Sequence, residues 1–334
     1  MIRTRFEAFR IQNDAAGYRA GLERISLETL TAGDTVIEVQ YSSVNYKDAL
    51  AGTGQGKILR KFPLNGGIDC AGVIVESANA ALKPGDPVLV TGSGLSETID
   101  GGYSAYVRIG HEHVIPLPPG WSTHDAMILG TAGFTAGLAL LRMLENRQHP
   151  GLGPIAITGA TGGVGMLATA LFTRAGFSVH ALSGKPEHTD LLRRLGAIEV
   201  LPRDAALSSK PMDSTRFGGA LDTIGGHALA GLLAQTSAYG NVASCGLAGS
   251  AELPATVMPF IIRGVSLLGI ASAGTERPIR ERVWALLAGH FTSTELAALP
   301  VNQISLSGLP AVFDRMLSGR SFGRAVVKIH ANAC

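Results

Sequence analysis

Two clusters in this 334-residue chain hold residue types suited to chemistry. In the run SSVNYKD, residues 42–48, an amide, a phenol, an ammonium and a carboxylate follow one another as Asn45, Tyr46, Lys47 and Asp48. Such a group at a strand terminus can orient a carbonyl or supply a proton, which makes it the candidate catalytic knot. Asp48 can serve there as an acid, or only fix a loop or cap a short helix beside Lys47. The second cluster is PIAITGATGGVGMLATALFTRAG, residues 154–176, where Gly159, Gly162, Gly163 and Gly165 separate an apolar run from a helical one. Leu167, Ala168, Leu171 and Phe172 recur on one face of that helix. Glycines let a backbone close on a pyrophosphate, and the N–H groups opening the helix point at the anion. A turn whose glycines merely let helix pack on strand is the alternative. No lysine followed by Ser or Thr comes after the glycines, so a nucleoside-triphosphate loop is not indicated.

The choice of dinucleotide is legible after the next strand. FSVHALS ends about twenty residues beyond the turn, where a carboxylate would hold an adenosine ribose hydroxyl. Ser183, Gly184 and Lys185 stand there instead, and a hydroxyl with an ammonium suits a 2′-phosphate, so NADPH is expected over NADH. Lys185 can also be a solvated lysine at a helix start. Arg203, after IEVLPRD begins, adds a second cation or a surface ion pair. Thr131 and Thr135 in GTAGFTA can meet a nicotinamide or its phosphates, or cap a helix. Tyr46 can donate a proton, bond the nicotinamide ribose, or be structural. His111 and His113 lie on one side of a possible strand with Glu112 facing away and no cysteine joining them, so no metal site is expected.

The elements that must position these residues fall into two textures. From Phe6 to about Val90 the chain is β-like, with TVIEVQYSSV (35–44), GIDCAGVIVE (67–76) and PVLVT (87–91), the last fed by a Pro-Gly-Asp turn. This predicts a small, largely antiparallel domain. After the prolines at 116, 118 and 119 the run STHDAMILGTAGFTAGLALLRML reads as a helix, with Ser122 or Thr123 as its N-cap. From 155 on, strand-like runs at 177–183, 198–204, 218–225, 240–249 and 263–272 alternate with helices at 186–196 and about 228–236, which predicts a parallel sheet covered by helices. Helices near 280–289 and 306–318 and a closing strand 324–329 return to the first domain. The fold class is α/β, divided at 1–125, 126–275 and 276–334.

Length alone favours two domains. A net charge of +2 offers nucleic acid no field. Cys70, Cys245 and Cys334 are too scattered for a zinc knuckle or disulfide scaffold. The polar start and the lack of a long apolar run suggest a soluble, cytoplasmic protein with no membrane partner.

Taken together, SVNYKDALAGTG, FPLNGGIDCAGVI, LKPGDPVLVTG, GGYSAYV, GTAGFTAGL, TGATGGVG, LSGKPEHTDLLRRLGA, LPRD, ASCGLAG and LPATVMPFIIRGVSLLGI resemble the zinc-independent quinone-oxidoreductase branch of the medium-chain dehydrogenase/reductase superfamily, and within it the acryloyl-CoA reductase subgroup. The resemblance covers nearly the whole chain. It implies a GroES-like β-barrel catalytic domain around an inserted Rossmann domain, a homodimer, and NADPH-dependent reduction of the carbon-carbon double bond of acryloyl-CoA to propanoyl-CoA. It places cofactor contacts on Tyr46, Thr161, Gly162, Gly163, Val164, Ser183, Gly184, Lys185 and Arg203, and further ones on Leu247, near Ala273 and on Arg324. Lys185 stands where relatives often have arginine, Ala271 where an acid is expected, and Cys70 where an aromatic is common. A CoA thioester needs cations for its phosphates, and Lys57, Arg60 and Lys61 in GKILRKFP are candidates, or else a plain basic loop. The alternative acceptors are a quinone or a small α,β-unsaturated ketone. A non-enzymatic dinucleotide-binding protein, as among lens crystallins of this superfamily, is the reading from another class.

Overall fold

A computed structural model describes residues 4–329, so Cys334 lies outside the described residues. The chain up to Thr131, together with that from Ala273 onward, forms one compact unit, and Ala132–Ser272 forms a second.

In the first unit, Thr35–Ser43 is buried along most of its length, with Val36, Ile37 and Val39 in one core with Ile74, Val88, Val90 and Phe313, as a strand in the middle of a sheet requires. The sheet has seven strands, running Val301–Ile304, Arg324–Lys328, Thr35–Ser43, Asp69–Ser77, Pro87–Thr91 and Ile115–Pro116, with Tyr106–Ile109 also on Thr35–Ser43. Pairing is antiparallel except between Val301–Ile304 and Arg324–Lys328. The Pro-Gly-Asp turn joins Asp69–Ser77 to Pro87–Thr91: Asp86 N–H donates to the Lys83 carbonyl at 3.0 Å and its carboxylate accepts from Lys83 N–H at 2.7 Å. The returning strand Arg324–Lys328 sets Val326 opposite Ser43, which carries Arg324 to the end of the strand that leads into Asn45. A three-stranded sheet of Gly17–Ile25, Phe6–Asp14 and Leu64–Asn65 completes this unit.

The second unit holds six strands, Ile155–Ile157, Val179–Ser183, Glu199–Pro202, Phe217–Asp222, Thr236–Ser244 and Ser266–Gly269. Counted one to six, they lie side by side in the order three-two-one-four-five-six, all parallel. Ile155, Ala156 and Ile157 are fully buried, as the middle of a sheet covered on both faces requires. The strand order reverses between strands one and four, where open α/β sheets bind ligands at the carboxyl ends of the strands. Thr158 Oγ1 donates to Asp222 Oδ1 there at 2.8 Å and so couples the ends of those two strands.

Several elements differ from the sequence reading. The long helix Thr123–Glu145 is broken at Gly130, whose φ of 49° and ψ of −152° are not helical. The two units divide after Thr131 and after Ser272, next to that break, rather than after residues 125 and 275. The knot, residues 42–48, lies where the strand Thr35–Ser43 ends and the short helix Tyr46–Thr53 begins, a helix given in the sequence reading only as the alternative for Asp48. The expected strands at 240–249 and 263–272 shorten to Thr236–Ser244 and Ser266–Gly269, with a helix Met258–Arg263 between. The short helix Ser293–Ala297 and the strand Val301–Ile304 were not anticipated. His111–His113 is a single 3-10 turn, so Glu112 does not face away: its carboxylate lies 3.5 Å from His113 Nε2 and 4.0 Å from His111 Nδ1.

Candidate active and cofactor sites

The first unit is organised around Asp69, a carboxylate wholly buried in the apolar strand Asp69–Ser77. Burial without donors would be costly, and four hydrogen bonds meet it. Ser43 Oγ donates to Oδ2 at 2.5 Å, Asn45 Nδ2 to Oδ2 at 2.8 Å, Thr131 N–H to Oδ2 at 2.8 Å and Thr131 Oγ1 to Oδ1 at 2.5 Å. Gly130 is required for this approach: a Cβ there would stand 2.6 Å from both Asp69 Oδ2 and Ser43 Oγ. Arg324, 3% exposed, donates from Nε to the Ile128 carbonyl at 2.8 Å and from Nη1 to the Val44 carbonyl at 3.2 Å. Its buried Nη2 has no hydrogen-bond partner among the described residues.

The four knot residues are sorted by this network. Asp48 is buried beneath the helix it opens, its Oδ2 accepting from Asn45 N–H at 2.8 Å and its Oδ1 from Ile68 N–H at 2.9 Å. Asp48 therefore caps the helix and cannot reach a ligand as an acid. Asn45 turns its amide nitrogen inward to Asp69, and to Asp48 at 3.2 Å, so it holds the turn in place and is not free to bond a substrate carbonyl. Lys47 pairs with Glu97. Tyr46, 43% exposed at the first position of the helix, is the knot side chain that faces outward. Thr131, expected to meet the nicotinamide, has both its amide and its hydroxyl on Asp69. Ala273 lies in this unit against the Gly92–Ser93 turn, its carbonyl accepting from Ser93 N–H at 3.1 Å.

The second unit gathers the other candidates. Thr161, Gly162, Gly163 and Val164 sit where strand one meets the helix Gly163–Arg174. The helix can lie so close because Gly165 has no Cβ; one there would meet the Gly159 carbonyl oxygen at 2.3 Å. The first N–H groups of this helix have no partner within it and face an anion naturally. Strands two and three run in parallel with Ser183 opposite Pro202, so Lys185 and Arg203 emerge from the same edge. Ser183, Gly184, Lys185 and Arg203 line a cavity of about 740 Å³. The Arg203 side chain covers Gly184, where an added Cβ would lie 3.8 Å from its Cδ. Ser183 Oγ accepts from Lys185 N–H at 3.0 Å, which holds the turn. His227, not singled out from the sequence, lines the same cavity, whereas Leu247, 62% exposed, does not.

Two residues central to this geometry escaped sequence reading. Asp69 was hidden in a run read as an apolar strand, although an acid inside such a run must find donors. His227 carries no local motif at all. His111 is bonded through Nδ1 to Asp34 Oδ2 at 2.6 Å, and Asp34, His111 and Glu112 form a surface cluster of a kind that can hold a cation.

The profile of the alcohol dehydrogenase GroES-like domain matches residues 31–119 and that of the zinc-binding dehydrogenase family residues 163–289. Zinc is held by lone pairs of thiolates, imidazoles and carboxylates. Around Asp69 the structure places an amide, two hydroxyls and a backbone N–H, all donors, so this site does not fit zinc. The acrylyl-CoA reductase AcuI of Ruegeria pomeroyi is 41% identical over 94% of this chain and 95% of its own length. YhfP of Bacillus subtilis, provisionally named a quinone oxidoreductase, is 39% identical over 98% of this chain and 99% of its own. Its crystal structure with NAD bound superposes with a TM-score of 0.92. The yhdH oxidoreductase of Salmonella enterica in complex with NADP is 39% identical, covers 97% of this chain and 100% of its own, and has a TM-score of 0.93.

The buried carboxylates make a testable demand. Asp48 is pushed up to about 7, first by burial and then by the Asp69 charge. Its unfolded value is about 4. The folded protein therefore holds a proton that the unfolded chain has released within this window, and stability falls as pH rises through it. Urea midpoints of the wild type should fall between about pH 5 and about pH 8 more steeply than those of Asp48→Asn; parallel slopes would remove Asp48 as the source. The paired β and parallel-sheet units, the metal-averse Asp69 site and the full-length kinship agree: the chain belongs to the medium-chain dehydrogenase/reductase superfamily, in the acryloyl-CoA reductase subgroup.

Proposed function

We propose that this protein reduces the carbon-carbon double bond of acryloyl-CoA to propanoyl-CoA with NADPH, without a metal, as a cytoplasmic homodimer. The observation that carries the reading is the 41% identity to an acrylyl-CoA reductase along 94% of the chain. Bound NADPH supplies the hydride for the β carbon of the alkene. The glycine turn fits its pyrophosphate, and the cavity walled by Ser183, Gly184, Lys185 and Arg203 fits an adenosine with a 2′-phosphate. Since the Bacillus relative was crystallised with NAD, the preference for NADPH rests on Lys185 and Arg203. Lysine in place of arginine keeps the charge and gives up the bidentate fork.

On the acceptor, negative charge develops on the thioester oxygen. The unpaired N–H groups that open the helix Tyr46–Thr53 can meet that charge, since the side chain of Asn45 is committed to Asp69. Tyr46, the exposed knot residue, gives the α carbon its proton in this reading, directly or through water; its exposure supports that role. Asn45, Asp48 and Thr131 act by positioning. Strand six, Ser266–Gly269, ends the parallel sheet beside exposed Val257, Ile261 and Ile262, and supports self-association through that edge.

A quinone or enone acceptor is the second reading, favoured by the name of the Bacillus relative. Initial rates of NADPH oxidation with acryloyl-CoA, crotonyl-CoA and a benzoquinone, measured in parallel, should give acryloyl-CoA a kcat/KM at least about tenfold above the others. A faster quinone would replace the reading, and NADPH binding without oxidation by any acceptor would favour a binding protein. Replacing Lys185 with Ala should raise the KM for NADPH about tenfold and that for NADH less than about twofold, the scale of one charge-assisted contact. Equal changes for both cofactors would sink the 2′-phosphate role.

A further inference from the structure

The helix Tyr46–Thr53 has Tyr46 at one end and a cationic, aromatic loop at the other, about 12 Å away for its 8 residues. Tyr18, from the strand Gly17–Ile25, donates its hydroxyl to the Ala51 carbonyl in the last turn of this helix. Its ring covers Gly54, where a Cβ would stand 2.9 Å from Tyr18 Cδ1. Phe62 meets the same ring edge to face, with centroids 5.8 Å apart. Both rings are large apolar surfaces left partly open, Tyr18 at 36% and Phe62 at 37% exposure.

Between Gly54 and Phe62 the chain carries Lys57, Arg60 and Lys61, all exposed. None of the three makes an ion pair among the described residues. The carboxylate of Glu97, whose backbone carbonyl accepts from Arg60 N–H at 2.8 Å, is taken by Lys47. The loop is nevertheless fixed: Leu59 is buried, and Ile58 N–H donates to the Gly56 carbonyl at 2.9 Å. A pinned loop thus holds three uncompensated cations beside an open aromatic pair. Cations recognise phosphate and exposed rings stack a base.

We propose that Lys57, Arg60 and Lys61, with Tyr18 and Phe62, form the subsite for the 3′-phosphoadenosine diphosphate end of the acyl-CoA substrate. This rests on the acyl-CoA reading above. The long pantetheine arm of CoA separates its phosphates from its thioester, as the helix separates this loop from Tyr46. Cations and rings then anchor the part of the substrate that does not react, and so act on substrate choice rather than on the hydride step.

Adenosine 3′,5′-bisphosphate, titrated calorimetrically into the full-length enzyme saturated with NADP⁺ to block the dinucleotide cavity, tests the subsite directly. The triple variant Lys57→Ala, Arg60→Ala, Lys61→Ala should bind it at least about tenfold more weakly than wild type, and Phe62→Leu, which keeps every charge, should also bind it more weakly. In the same triple variant the ratio of kcat/KM for acryloyl-CoA to that for acryloyl-pantetheine, which lacks the nucleotide, should fall about tenfold. Equal affinity of wild type and triple variant for the bisphosphate, or an unchanged ratio, would overturn the subsite. Wild type that binds the bisphosphate through this loop yet reduces neither thioester would instead overturn the reductase reading and leave the subsite standing.

Discussion

A carboxylate with no exposure to water sets the terms for the catalytic unit. Asp69 sits in a strand otherwise built to be buried, and the folded chain must bring it donors or leave a charge unsolvated. The donors are Ser43 at the end of a central strand, Asn45 at the turn beyond it, and Thr131 just after the break in a long helix, while Arg324 on the returning strand bonds the Ile128 and Val44 carbonyls. The break at Gly130 follows from the same need, because no side chain can stand between Asp69 and Ser43. One anion thus joins the turn at Ser43 and Asn45 to the helix break at Thr131.

Charge balance explains the rest of the cluster. Asp48 and Asp69 are two buried acids, answered by the buried guanidinium of Arg324 and, for Asp69, also by that of Arg280. Burial pulls Arg324 below the usual arginine range while the two acids oppose it. Tyr103, wholly buried with its hydroxyl on the Ser43 carbonyl at 3.0 Å, is pushed well above the usual phenol range by burial and by the same two acids, and so stays neutral. With the acids turned inward and hydrogen-bonded, Tyr46 is left exposed at the start of the helix.

The features that sequence reading resolved share a local cause. The glycine turn is legible because strand, glycines and apolar helix are adjacent in the chain, and the Ser183–Lys185 end because it lies a fixed distance further along. The antiparallel unit with its Pro-Gly-Asp hairpin, and the alternation after residue 155, are likewise local patterns. What was misread depends on contacts distant in sequence. By sequence alone Asn45 and Thr131 read as ligand contacts, because their partner, Asp69, is 24 and 62 residues away from them. The break at Gly130 is not singled out among the three glycines of LGTAGFTAG, residues 129–137, since its reason lies on two other strands. The 3-10 turn at His111–His113 is held by Asp34, 77 residues earlier, whose carboxylate accepts from His111 N–H.

The proposed reaction is hydride delivery to an acyl-CoA alkene without a metal, and its most direct test is a turnover of NADPH carrying two deuterons at nicotinamide C4 with acryloyl-CoA in the presence of a strong chelator, the product analysed by mass spectrometry. Deuterium confined to C3 of propanoyl-CoA, at a rate equal to that without chelator, is the predicted result. Loss of activity on chelation, or consumption of the deuterated cofactor with no label in propanoyl-CoA, would contradict it.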